Sequence, residues 1–99
     1  MLIGNKQHTA GNRTRYEIDY EEWLDEGRTL NQSSGFSAAL APGSTVNDVT
    51  IDQVSVTSHR LYFFVSGGSI NEAFTVQVQV TDTLGEIVTD TVNYTVVAP

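Results

Sequence analysis

Six carboxylates, Glu17, Asp19, Glu21, Glu22, Asp25 and Glu26, stand within ten residues, and paired acids hydrolyse glycosides when they flank a groove. A domain this small rarely supplies such a groove. The segment reads instead as a solvated acidic helix start, where negative charge suits the helix dipole, or as an acidic docking patch for a basic partner surface, with Glu21 and Glu22 as its contact candidates. His8 and His59 lie 51 positions apart, and neither has a metal-ligand spacing to another histidine or to a cysteine. Ser58 precedes His59, but neighbouring residues of an extended chain point apart, so the pair reads as a turn and not as nucleophile and base. Asp48, Asp52 and Asp82 could gather around calcium at one end of a sandwich, yet no loop of the EF-hand kind and no glycine–aspartate repeat supports it. Gly67-Gly68 lacks the spacing and the lysine of a phosphate-binding loop and reads as a turn. No catalytic, metal or cofactor site is expected.

The elements that would carry these residues are strands. Every valine lies from Val46 onward, among dense threonines, and β-branched side chains suit a pleated surface. Phe74, Val76, Val78 and Val80 alternate with Thr75, Gln77, Gln79 and Thr81, the period of a half-buried strand. Asp82-Thr83-Leu84-Gly85 supplies a turn, with Gly85 free to take a positive φ, and Val88, Val92, Tyr94 and Val96 share one parity of the returning strand. Asp90 falls on that apolar parity. An unpaired buried carboxylate is costly, so a bulge or a rim position is expected around residues 87–91. Val49-Thr50-Ile51 and Val54-Ser55-Val56 alternate out of phase, which places a bulge near Asp52-Gln53. Leu61–Val65 is apolar on both parities, as a central core strand would be, and Ser66–Ser69 closes it in a tight loop.

The front half is less regular. Arg15–Tyr20 alternates large apolar with charged residues and reads as a short strand. Asp19 as N-cap, Glu22 at the third helical position and Gly27 as terminator predict one short helix, on which Tyr20, Trp23 and Leu24 share one side. A weak strand anchored by Phe36 and Leu40 follows, ending in the turn Ala41-Pro42-Gly43-Ser44. Residues 1–12 read as a polar arm that orders on contact, and 13–99 as the domain.

With 99 residues the chain has room for one domain. Twelve acids against five bases give a net charge of −7, which disfavours nucleic acid as a partner. The absence of cysteine removes disulfides, thiolate chemistry and sulfur-bound zinc. The longest apolar run, Leu61–Val65, is far short of the ~20 residues of a membrane-spanning helix, so no membrane is expected as partner. The start lacks a basic leader before an apolar stretch, so use without export through a general secretion route is expected.

The order of features, a basic polar start, then Tyr16-Glu17-Ile18-Asp19-Tyr20-Glu21-Glu22-Trp23-Leu24-Asp25-Glu26-Gly27, a weakly patterned middle, Phe63-Phe64-Val65-Ser66-Gly67-Gly68 and a final valine–threonine hairpin, resembles the small fiber-tail adaptor proteins of tailed bacteriophages. The likeness runs from about residue 6 to 98. It implies an all-β, immunoglobulin-like β-sandwich, a virion structural part in the tail or neck, assembled in the host cytoplasm, that acts as a symmetric ring of copies bound to tail and fiber proteins and is not an enzyme. On this reading Tyr16, Tyr20, Trp23 and Leu24 join Glu21 and Glu22 as candidates for the protein-contact surface, because aromatic side chains dominate interface energetics; the competing role for the rings is to close one end of the sandwich. Capsid decoration is a variant of the same class. The alternative class is a carbohydrate- or cell-surface-binding module, which calls for exposed aromatics in Asn31–Thr45 or Ser66–Asn71, where Phe36 alone is found.

Overall fold

The computed structural model describes residues 2–43, 46 and 48–99. Ser44 of the expected turn and Met1 of the expected arm lie outside them. Seven strands follow one another: β1 (Leu2–Thr9), β2 (Arg13–Asp19), β3 (Ser37–Leu40), β4 (Val49–Val56), β5 (Arg60–Gly67), β6 (Ala73–Thr81) and β7 (Ile87–Val97). They form a four-stranded sheet in the order β1-β7-β6-β3 and a three-stranded sheet in the order β2-β5-β4. The two sheets pack face to face as an all-β sandwich of 42 × 22 × 20 Å.

The core is the set of inward parities. Phe74, Val76, Val78 and Val80 of β6 and Val92, Tyr94 and Val96 of β7 meet Leu61, Phe63 and Val65 of β5, all of them buried. Each large apolar side chain so buried contributes about 1.5–3 kcal/mol, which is how a domain without disulfides closes. β5 is central in its sheet, paired with β2 on one side and β4 on the other. Only one of its parities reaches the core, however; Tyr62 and Phe64 lie half-buried on the outer face beneath Arg15 and Arg13, whose guanidinium carbons sit 4.9 and 4.1 Å from the ring centroids. Cation–π cover of this kind explains why the apolar run has no second apolar layer over it.

The β4 bulge lies where the phase change put it. Pairing with β5 shifts between Asp52 and Ser55, and Gln53 takes a φ of 48°. The bulge expected around Asp90 is absent. β6 and β7 pair without interruption from Ala73↔Thr95 to Thr81↔Ile87, and Asp90 is buried opposite Val78. Its carboxylate is compensated there by the Tyr20 hydroxyl, which donates to Oδ2 at 3.1 Å.

The short helix is also absent: residues 20–28 form turns. The Tyr20 N–H joins the sheet by donating to the His59 carbonyl, and the Trp23 and Leu24 N–H groups both return to the Tyr20 carbonyl at 3.0 and 3.1 Å. Asp19 Oδ1 accepts from the Glu21 N–H at 2.9 Å, as an N-cap does, but after the one turn that the Leu24 N–H closes the next backbone bond is the tighter one from Arg28 to Asp25. A segment this short is well below the ~12–15 residues at which helix is even marginal. Gly27 does take a positive φ of 80°, and the single turn still brings Tyr20, Trp23 and Leu24 to one side.

Residues 2–9, read from sequence as part of an arm, run as the edge strand β1, parallel to β7 from Leu2↔Thr91 to Thr9↔Val97 with one shift between Leu2 and Gly4. The inward parity of β1 brings His8 into the core, where it is fully buried.

Candidate protein-contact surface

The contact candidates divide by burial. Tyr16, on β2, points into the sandwich, with its ring edge-on to Tyr94 at 4.9 Å and its hydroxyl 2.8 Å from His8 Nδ1. His8 Nε2 lies 3.1 Å from both the Asn12 and Gly67 carbonyls. Two carbonyls can only accept, so Nε2 carries the proton and Nδ1 receives the Tyr16 hydroxyl. Burial raises the Tyr16 hydroxyl pKa, with a smaller opposing effect of Thr14. Tyr20 is buried against Asp90 and meets Trp23 edge-on at 6.0 Å. Trp23 and Leu24 are half-buried lids packed on the core, whereas Glu21 and Glu22 face solvent.

These lids form one end of the sandwich together with the β6–β7 hairpin tip. The Thr83 N–H donates to the Thr29 carbonyl, and Leu30, itself buried, forms a bridge with Asp82. Asp82 organises the tip: Oδ1 accepts from the Leu84 and Glu86 N–H groups, both at 2.9 Å, and Oδ2 from Arg28 at 3.3 Å. Burial alone would push this carboxyl up, but the two backbone donors and the guanidinium outweigh it and hold its pKa below the ordinary value. Arg28 also reaches Glu86 and Asp25, at 3.3 and 3.5 Å. The hairpin so fixed holds out Leu84 and Ile87, 67% and 61% exposed. Sequence reasoning missed this pair, although Ile87 stands on the polar parity of β7 and so signalled an apolar side chain turned outward.

The residues weighed for chemistry stay apart. Asp48 accepts from Ser69 Oγ at 2.7 Å, Asp52 pairs with Arg13 at 3.3 Å, and Asp82 holds the hairpin tip. Ser58 Oγ does meet His59 Nδ1 at 3.1 Å, because the two stand in the β4–β5 turn and not in a strand; the contact is local to that turn. Among the described residues no three histidine or acidic side chains converge as metal ligands would.

The outward faces of the two sheets differ. That of the three-stranded sheet carries Arg13, Arg15 and Arg60 interleaved with Glu17, Asp19 and Asp52; Arg60 pairs with Glu17 at 3.9 Å and with Asp19 at 3.5 Å. That of the four-stranded sheet carries threonine, glutamine and asparagine at its centre, with Thr75 Oγ1 bonded across the strands to Asn93 at 2.8 Å, and ends in the exposed Ile87 at the hairpin.

This two-sheet body, in which no reaction centre is assembled among the described residues, matches the family described as podophage GP4 fiber-tail adaptor protein gp77 over residues 8–95. The chain belongs to that family. The family is one of phage structural adaptors and not of enzymes, which gives the chain a structural role in the virion. No curated protein matches the chain. Among solved structures it is similar to the crystal structure of the 2,6-sialyltransferase of Vibrionaceae Photobacterium sp. JT-ISH-224, with a TM-score of 0.54 at 14% identity, over 100% of this chain and 18% of that one. A likeness so distant, to a small part of a much longer chain, shows the fold alone.

Proposed function

We propose that the chain joins tail fibers to the phage tail or neck as a symmetric ring of immunoglobulin-like copies, assembled in the host cytoplasm and held by protein–protein contacts alone. The observation that carries this reading is the adaptor-family match across residues 8–95. The geometry supports it in a specific way. The end bearing Glu21, Glu22, Trp23 and Leu24 together with the rigid tip of Leu84 and Ile87 combines exposed acids with apolar side chains on a preorganised frame, and preorganisation lowers the ordering cost of docking. In this arrangement Tyr16 and Tyr20 support the surface from within. The open backbone edge of β1 suits the arm role expected of residues 1–12, since an edge strand can accept a further strand from a neighbour.

Removal of the gene from the phage tests the reading. The expected result is particles with intact heads and tails that lack fibers, restored by supplying the chain in trans. Particles that keep their full complement of fibers would contradict it.

A further inference from the structure

The chain holds seventeen charged residues, twelve acidic and five basic, and among the described residues none of their side chains stands on the outward parity of the four-stranded sheet. β6 and β3 contain no charged residue at all. On β7 the sole charge, Asp90, is turned inward and buried, and Lys6 of β1 stands in register with Tyr94, on the inward parity. What faces outward at the centre is Thr75, Gln77 and Gln79 of β6 beside Thr89, Thr91 and Asn93 of β7. Surface strands ordinarily carry charges that keep a flat sheet from associating. Here a face of about 500 Å², four strands wide at the usual strand spacing, has no charged side chain among the described residues, in a molecule whose opposite face is charged on all three strands. At one end Ala41, Pro42 and Gly43 stand beside Thr75 and Asn93 and bound a trough of about 540 Å³, so the face is shaped as well as neutral.

We propose that this neutral face is a docking surface for a different virion protein, one that presents an uncharged surface of hydroxyl and amide side chains. The proposal rests on the adaptor reading: an adaptor needs two unlike docking surfaces, and the two sheets turn unlike faces outward. Charge matching selects the occupant. A charged partner would lose hydration against this face and find no counter-charge, whereas hydroxyl and amide groups exchange hydrogen bonds with water for hydrogen bonds with Gln77, Gln79 and their neighbours. About 500 Å² on each side gives about 1,000 Å² in all, the lower limit of a specific interface, so the contact suits many copies acting together better than one alone.

Particles grown without this chain, then supplied with the purified chain and assayed for uptake, test the proposal. Gln77→Lys with Gln79→Lys, and separately Gln77→Glu with Gln79→Glu, are both expected to reduce uptake about tenfold or more, with melting temperatures unchanged. Loss with either sign of charge is the signature of a neutral partner. Full uptake of either variant, loss with one sign only, or light scattering in which the wild-type chain pairs and either double variant does not would each overturn it. Wild-type chain that never enters particles would overturn the adaptor reading itself. Gln77→Lys and Gln79→Glu as single variants, each expected to reduce uptake about threefold or more, keep the proposal testable if a double variant unfolds the domain.

Discussion

Tyr94 shows at the scale of one residue how this core is balanced. Its ring stacks on Phe74 at 5.1 Å, but its buried hydroxyl has no hydrogen-bond partner among the described residues. A buried unpaired hydroxyl costs about 1–3 kcal/mol, so Tyr94→Phe is expected to hold or raise stability at neutral pH by about 1 kcal/mol, measured by denaturant unfolding. The variant should also flatten the alkaline limb of stability. Burial raises the pKa of both Tyr94 and Tyr20 above the ordinary 10.0, the Asp90 carboxylate adding to the effect at Tyr20 and the titrating Tyr16 hydroxyl at Tyr94. Groups raised in the folded state contribute stability that is fully present below pH 10 and is lost as pH rises toward their folded values. Melting temperature should therefore fall above about pH 10 in the wild type and fall less in Tyr94→Phe. The acid limb has the opposite sign: Asp82 is held below its ordinary 3.8, so its contribution is present above that value and is lost as pH drops through the lower, folded one. An alkaline limb unchanged by Tyr94→Phe would refute the assignment.

The elements were legible in sequence wherever period two is uninterrupted. The β6–β7 hairpin, its Gly85 turn and the β4 bulge follow from parity alone. Where side chains from distant elements settle the matter, sequence was silent. Asp90 on the apolar parity reads as a bulge or a rim position because its partner, Tyr20, is 70 positions away; the expected helix stops after the one turn that Leu24 closes on Tyr20, because Trp23 and Leu24 pack on the core and the chain runs on to the Leu30–Asp82 bridge. His8, polar and in a stretch that reads as an arm, carries no local sign that Tyr16, Asn12 and Gly67 will surround it. The contact candidates were half legible: the spacing of Tyr20, Trp23 and Leu24 survives without the helix, but burial, which separates Tyr16 and Tyr20 from Glu21 and Glu22, depends on sheet packing. The joint between β4 and β5 makes a prediction at this scale. Gly67 has a φ of 88°, and a Cβ there would collide with the Asp48 carbonyl. Gly67→Ala adds left-handed strain of about 1 kcal/mol or more to a backbone clash, and should also shift the Gly67 carbonyl away from His8. A loss of at least about 2 kcal/mol is expected, read from the denaturation midpoint; an unchanged midpoint would show that the loop moves freely at this joint.

The whole molecule is a sandwich whose two sheets share one core and turn different chemistry outward. One sheet is faced with arginines threaded through carboxylates and rings, and the other with hydroxyls and amides; the acidic end carries a stiff apolar tip. The division suits the proposed adaptor, which holds two unlike neighbours at once. A cryo-EM reconstruction of the phage tail is the most direct measurement. The account predicts a seven-stranded density of this shape at the junction of tail and fibers, with the four-stranded sheet turned toward one neighbour. A junction built without this chain, or one in which that sheet faces open solvent in every copy, would contradict it.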